Sequence, residues 1–512
     1  MKAHIEAIEG NDTWLAQRAK RSPDRVALVV GASTLSYGQL DEEARSLADG
    51  LRAAGVGSGD TVAARLEDGV DFARLLWALR EIRAAVLPIN PRWVAEEAGH
   101  VLADSRASLL VDDGSARAEA GAQRAGGVPR AVLHQGQLER QSEGSSEGRS
   151  ETRLAEFGHP RLGGEEEDIL AVLYTSGTTG RPKGAMLSAA AFQASARGAA
   201  ELLGTGPDER WLACMPLFHV GGLSILLRAC LAGSSVVVQP GFNAGAVSRA
   251  LDDEAISGVS LVAAMLQRLL EVRGDRPPPA SLRWLLLGGG PAPEALLVRA
   301  RQLGYPLAPT YGLTEAASQV ATRLPAEDAL PLDGHLRPLP GTALKVLDEE
   351  GRTLPAGQAG EIYIRGGTLM SGYLGQPEAT ERVFQKGWLR SGDIGVLDLR
   401  GYLRVLDRRE DLIVSGGENI YPAEIEAVLA QHPAVAEAAV VGEPDEEFGA
   451  RPVAYWVAAP GAEETDLRAY CRERLAGYKV PRRFARMEAL PRNSAGKVLR
   501  RELRGSSGSE PA

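Results

Sequence analysis

A chain of 512 residues is longer than one hydrophobic core sustains, so at least two domains are expected, with area enough to bury a deep site. The 57 Lys and Arg against 67 Asp and Glu leave a net charge of -10, which argues against a nucleic-acid partner, although local basic clusters can still hold a nucleotide. No apolar run approaches the length of a membrane span and Met1-Lys-Ala-His-Ile-Glu6 lacks the order of a signal peptide, so a cytoplasmic protein without membrane insertion is expected.

Helix and strand signals alternate from Trp14 to about Asp112. Arg25 to Val30 reads as a strand, Tyr37 to Ala54 as an amphipathic helix and Thr61 to Arg65 as another strand, the pattern of α/β layers. From Asp112 to Glu167 the order dissolves. The polar run Gln141-Ser-Glu-Gly-Ser-Ser-Glu-Gly148 marks the segment 113–167 as a mobile surface excursion rather than a domain. After Asp168 the apolar run Ile169 to Leu173 is a buried strand, and Ser234 to Val238 and Leu282 to Leu287 are runs of parallel-strand type, the last entering Gly288-Gly-Gly290. A helix over Gly222 to Leu231 carries Arg228. The cysteines, Cys214, Cys230 and Cys471, are three in number and far apart, which suits inert buried thiols better than a disulfide framework or a zinc site.

Five consecutive charged residues, Asp407-Arg-Arg-Glu-Asp411, followed by Leu-Ile-Val and Gly416-Gly417, read as a hinge. Beyond it come a helix over Pro422 to Gln431, a strand over Ala434 to Val441 and a helix over Thr465 to Ala476. Together they form a compact α+β unit. The expected division is an N-terminal domain over 1–409, a small mobile C-terminal domain over 410–505 and a disordered tail over 506–512.

The segment Tyr174-Thr-Ser-Gly-Thr-Thr-Gly-Arg-Pro-Lys-Gly184 places three glycines, four aliphatic hydroxyls and one lysine within eleven residues, donors enough to grip a polyanion. It is not a P-loop, because Lys183 is followed by Gly184 rather than Ser or Thr. Four further segments follow in order: Met215-Pro-Leu-Phe-His-Val-Gly-Gly222, Pro309-Thr-Tyr-Gly-Leu-Thr-Glu315, Trp388-Leu-Arg-Ser-Gly-Asp393 with Leu406-Asp-Arg408, and Pro491-Arg-Asn-Ser-Ala-Gly-Lys497. The ordered set resembles the acyl-adenylate-forming superfamily of acyl-CoA synthetases, adenylation domains and luciferases, over nearly the whole chain. The resemblance implies an α/β fold: a large N-terminal domain of layered subdomains with a β-barrel-like part, and a small mobile α+β domain. It also implies a reaction in which a carboxylate attacks the α-phosphate of ATP, expels pyrophosphate, and is then opened by a thiol.

The same resemblance assigns roles. Thr175, Ser176, Gly177, Thr178, Thr179, Gly180 and Lys183 hold the β and γ phosphates. Glu315 binds Mg²⁺ and Thr314 bonds the α-phosphate. Asp393 and Arg408 take the ribose hydroxyls, while Gly288, Gly289, Gly290, Thr310, Tyr311 and Gly312 adjoin the adenine. Lys497 meets charge developing at the α-phosphate. Glu410 matches the pivot about which the small domain turns, and Gly416 and Gly417 wall a tunnel for coenzyme A that His219 borders.

Within the superfamily, four segments around His219, Gly288, Tyr311 and Gly416 look most like the 2-succinylbenzoate:CoA ligases of menaquinone biosynthesis, a substrate with two carboxylates. One carboxylate is activated and the other needs a partner in a largely apolar pocket. Arg228, nine residues after His219, matches that cation, with Gly289, Gly290 and Ser318 as lesser pocket residues. The plain alternative for Arg228 is a helix arginine reaching for the surface, and for Tyr311 a core aromatic. A general aryl- or fatty-acyl-CoA synthetase and a carrier-loading module are the competing activities. The sequence is compatible with a homo-oligomer and does not set its size.

Overall fold

A computed structural model describes residues 13–67, 69–114, 128–140, 168–176, 182–290, 292, 294–325, 335–348, 350–407, 413–420, 422–460, 466–491, 498 and 500–505. The first sheet has nine strands, and its centre is parallel: Leu307–Leu313, Trp284–Gly288, Gly258–Val262, Arg210–Ala213, Ser235–Val238 and Val26–Val30 lie side by side in that order. These strands are continuous apolar runs because helices cover both faces of a parallel sheet. Ser318–Thr322 and Arg337–Pro338 extend one edge and Ser33–Ser36 the other.

A second, eight-stranded sheet sets Ala85–Pro88, Thr61–Arg65 and Leu109–Asp112 beside Ile169–Ser176. One apolar core runs between the two sheets, with Leu28, Trp77, Phe192 and Leu226 among its members. The first sheet's outer face packs a second core around Leu212, Leu261, Leu285 and Leu287. Thr342–Leu347, Ala359–Gly366, Trp388–Leu397 and Phe384–Gln385 make an antiparallel sheet joined by Leu403–Asp407; among the described residues its strand order is an open path rather than a closed barrel.

The fourth sheet is built wholly from residues after the charged run: Glu418–Ile420, Ile413–Ser415, Gly449–Ala458 and Val435–Asp445, with Arg483–Met487 parallel to Gly449–Ala458. It has apolar clusters of its own around Ile420, Leu429 and Trp456, and around Val441 and Leu503. The run 408–412, the tail 506–512 and the Ser- and Gly-rich stretch 141–148 lie outside the described residues.

Several boundaries shift by one or two residues, as frayed ends do. The helix expected to Gln431 is Pro422–Leu429, and the one expected over Thr465 to Ala476 is Leu467–Arg474, started by Asp466, whose carboxylate accepts from Ala469 N. The strand from Ala434 is longer than expected, Val435–Asp445, because it pairs along its length with Gly449–Ala458.

One expectation needs correction. The segment after Asp112 is not wholly structureless: Arg130–His134 adds in parallel to Leu109–Asp112, and Gln137–Arg140 returns antiparallel to it. Local composition hid this hairpin because its support is distant. Asp71 accepts from the backbone N–H groups of Gln135 and Gly136 at 2.8 Å, and Asp112 pairs with Arg130 at 2.9 Å. All three cysteines are buried and free, and burial pushes Cys214 and Cys230 up to about 12 and Cys471 to about 11. Thiols held so far above neutrality are inert, as expected.

Candidate active site

Ligands of open α/β sheets bind outside the carboxyl ends of the strands. Here those ends release Met215 to His219, Gly289 and, from the last parallel strand, Thr314-Glu315, and a cavity of about 310 Å³ opens among them. Its walls also include Thr175 and Lys183 from the second sheet, Asp393 from the antiparallel sheet and Gly417 from the C-terminal unit. Four sheets therefore meet at one cleft.

The phosphate-loop segment proves more ordered at its ends than a loop. Ile169–Ser176 and Pro182–Ser188 are the two arms of an antiparallel hairpin, with Thr175 opposite Lys183 and Tyr174 opposite Gly184. The hydroxyl and the ammonium thus leave the same rung of one ladder. Gly177, Thr178, Thr179 and Gly180 lie outside the described residues, as does the side chain of Ser176.

Tyr373, not singled out from the sequence, joins Lys183 to Glu315. The two-residue strand Gly372–Tyr373 pairs with Pro182–Ser188, and Met370 N donates to Glu315 O at 2.9 Å. The Tyr373 hydroxyl donates to Glu315 Oε1 at 2.9 Å, while Lys183 Nζ stands 5.2 Å from the centre of its ring. An ammonium on one face and a carboxylate at the hydroxyl place a phosphate-seeking cation close to an oxygen ligand of the kind a hard divalent ion takes. Thr314 and Glu315 begin a one-turn 3₁₀ helix, Thr314–Ala316, and both line the cavity.

At the nucleotide end, Gly288, Gly289, Thr310 and Gly312 line the cavity beside Asp393. Gly312 admits no side chain, since a Cβ there would stand 1.8 Å from the carbonyl oxygen of Ser318. Tyr311, assigned to the adenine by the family resemblance, packs its ring among core residues. It is 4% exposed, belongs to the core, does not line the cavity, and its hydroxyl donates to Asp393 Oδ2 at 2.6 Å. Its ring is drawn inward by apolar neighbours while its polar tip holds a cleft carboxylate. The backbone at Asp393 is held as well, its N–H donating to Ser391 Oγ at 3.1 Å.

His219 and Arg228 lie on the helix Val220–Ala232, His219 at its N-cap and Arg228 two turns along, and both reach the cavity. Arg228 donates from Nη1 to Gln319 Oε1 at 2.7 Å, and its Cζ stands 4.9 Å from the centre of the Trp211 ring. Nε and Nη2 have no partner among the described residues. Burial pulls this guanidinium down to about 10, with no carboxylate among the described residues close enough to oppose it. The arginine does not snorkel. Ser318, across the cavity, has φ +97 and its neighbour Ala317 φ +50, conformations that cost about 1–3 kcal/mol each and gather at functional sites.

The C-terminal unit closes one side. Glu418, with a side chain 4% exposed, accepts from Arg92 at 2.9 Å and stands 2.9 Å from His219 Nε2. Gly417 has φ +89, and a Cβ on it would lie 2.8 Å from Val262 Cγ2, so only glycine fits where it walls the cleft. Gly290 and Gly416 do not line the cavity; they sit beside Val414 and Phe448. Arg408, Glu410 and Lys497 lie outside the described residues. Among the described residues no group of three or more His, Cys, Asp or Glu is arranged for a metal, and no helix is long and apolar enough to cross a membrane.

Residues 15–374 match the family described as AMP-binding enzyme, and residues 424–497 its C-terminal domain. The chain is 39% identical over 498 residues to the 2-succinylbenzoate--CoA ligase of Bacillus cereus strain Q1, covering 97% of this chain and 99% of the other. Among solved structures it resembles o-succinylbenzoate CoA synthetase from Bacillus subtilis in two states. A double mutant bound with its product analogue gives a TM-score of 0.85 at 35% identity, covering 96% of this chain and 98% of that one. The complex with the acyl-adenylate intermediate gives 0.69 at 34% identity, covering 97% and 98%.

Proposed function

The chain belongs to the AMP-binding enzyme family, and from that premise we propose that it ligates 2-succinylbenzoate to coenzyme A. ATP and the acid give the acyl-adenylate and pyrophosphate; the thiol of coenzyme A then displaces AMP to give the thioester, the reaction expected in menaquinone biosynthesis. The observation that carries the choice of acid is Arg228, a buried guanidinium bonded, among the described residues, only to a neutral amide in the wall of the cleft. A monoacid leaves that charge uncompensated. The non-reacting carboxylate of a diacid supplies the counter-charge, worth about 1.5–3 kcal/mol for a charged hydrogen bond.

The residues of the cleft divide the work. Thr175 and Lys183, on the same rung, bind the outgoing phosphates, with Ser176, Gly177, Thr178, Thr179 and Gly180 assigned the same task by the family's pattern. Asp393, held by Tyr311, accepts from the ribose hydroxyls, and Arg408 donates to them. Glu315 and the neighbouring hydroxyl of Thr314 form an oxygen set that fits Mg²⁺, which when bound neutralises phosphate charge. Lys497 is the group assigned to the α-phosphate. Gly417 and His219 border the path of the thiol.

The test is CoA-dependent AMP formation with 2-succinylbenzoate set against benzoate, a fatty acid and an amino acid. A preference for 2-succinylbenzoate of at least about 100-fold in kcat/KM is expected. Equal use of benzoate or a fatty acid would make the protein a general acyl-CoA synthetase, and pyrophosphate release without CoA consumption would make it a carrier-loading module.

A further inference from the structure

Gln319 is 3% exposed on the strand Ser318–Thr322, and its amide can point only one way. Thr310 Oγ1 donates to Ala321 O at 3.2 Å and stands 2.7 Å from Thr322 Oγ1. With its own proton committed, Thr310 accepts from Thr322, and Thr322 is left with acceptor capacity. Gln319 Nε2 fills it at 2.9 Å, with a longer approach of 3.4 Å to Thr310. The carbonyl end of the amide is thereby turned to Arg228 Nη1 at 2.7 Å; the reverse orientation would set NH₂ against a guanidinium, donor against donor.

A buried arginine is ordinarily matched by a carboxylate. This one is matched by a neutral oxygen, so its position is fixed while its charge is left unspent. We propose that Gln319 is the specificity-determining positioning residue of the acid pocket: its hydroxyl-oriented carbonyl holds the Arg228 guanidinium in place without neutralising it, reserving the positive charge for the substrate's non-reacting carboxylate. The inference rests on the reading of Arg228 given under Proposed function. It makes the choice of amide over carboxylate at position 319 the switch between accepting and rejecting a dianionic acid.

Gln319→Glu is nearly isosteric; the Thr322 hydroxyl turns its proton from Thr310 to the new carboxylate, which neutralises Arg228 from within the protein. ATP–pyrophosphate exchange is measured for 2-succinylbenzoate and for the two monocarboxylic analogues that each lack one of its carboxyl groups. The expected result is a fall of at least about tenfold in kcat/KM for the diacid, carried by KM, with the analogue that keeps the reacting carboxylate losing less than about threefold and the KM for ATP unchanged. Gln319→Met, which removes the acceptor without adding charge, lowers the diacid's kcat/KM less than Gln319→Glu does. In an Arg228→Ala background, Gln319→Glu adds less than about twofold to the loss. Equal losses for diacid and monoacid, or full additivity with Arg228→Ala, would overturn the proposal and leave Gln319 a packing residue. If Arg228→Ala itself does not change the diacid-to-monoacid ratio, the reading of Arg228 fails first, and the two failures are told apart.

Discussion

Arg228 sets stability against selectivity within one side chain. Its folded pKa lies below the arginine range because burial disfavours the cation, so the unfolded chain binds the proton more tightly and stability rises with pH between about 10 and the unfolded value. At neutral pH the charge is therefore a cost the fold carries. Arg228→Met is expected to leave the thermal midpoint of the ligand-free protein unchanged or higher, and Arg228→Ala to lower kcat/KM for 2-succinylbenzoate by roughly tenfold or more. Calorimetry and steady-state kinetics check the pair; a large loss of midpoint with unchanged kinetics would make Arg228 structural. Glu315, Thr175 and Asp393 stand in the ordered motifs and Arg228 was reached through the resemblance, and the structure brings the four to one cleft. Tyr373 and Gln319 were not legible in the sequence. Their partners, Glu315 and Arg228, lie 58 and 91 positions away, and an aromatic or an amide at such a place has no local signature of its role.

The hairpin that carries Thr175 and Lys183 is held at the site by the short strand Gly372–Tyr373, so one small element couples the phosphate grip to Glu315. Tyr373→Phe keeps the ring beneath Lys183 and removes the hydrogen bond to Glu315. A fall of about threefold to tenfold in the adenylation rate, with a raised Mg²⁺ requirement and an unchanged KM for the acid, is expected from the loss of one charge-assisted bond. Magnesium titrations of pyrophosphate release check it, and an unchanged requirement would leave Tyr373 as packing alone. The strand Leu307–Leu313 makes a sterner demand at Gly312, where a side chain would strike the Ser318 carbonyl. Gly312→Ala is expected to cost more than about 3 kcal/mol, read as the shift in a denaturant midpoint. Element types were legible wherever an apolar run or an amphipathic period was strong, as in Tyr37–Ala53 or Trp284–Gly288. The hairpin of 130–140 was not, because Asp71 and Asp112 anchor it from elsewhere in the chain.

At the scale of the whole molecule, the TM-score is 0.85 against the double mutant that holds the product analogue and 0.69 against the complex with the acyl-adenylate. Overall similarity is thus higher to the first, and several contacts join the large and small parts. Gly417 walls the cleft, Lys479 binds Glu97 of the large part at 2.8 Å and Glu424 of its own unit at 2.7 Å, and Glu418 reaches both Arg92 and His219. Burial alone would raise the Glu418 pKa, but the His219 hydrogen bond and the charges of His219, Arg92 and Lys479 outweigh it and hold the carboxyl below its ordinary value. A depressed carboxylate stabilises the docked arrangement above the unfolded value of about 4.3 and loses that contribution as pH falls through the folded one. Docking should thus persist unweakened by Glu418 down to about pH 5. Glu418→Gln keeps the shape and removes the charge. Arg92 and His219 are exposed enough to be resolvated, so the loss is expected to be about 1–2 kcal/mol rather than the full cost of a stranded buried ion. That corresponds to a thioester-forming step slowed roughly tenfold when preformed acyl-adenylate is mixed with coenzyme A in a single turnover, with pyrophosphate release from ATP and acid altered by less than about twofold. Equal slowing of both half-reactions would show that Glu418 supports the fold of the cleft rather than the docked arrangement in which the thiol attacks.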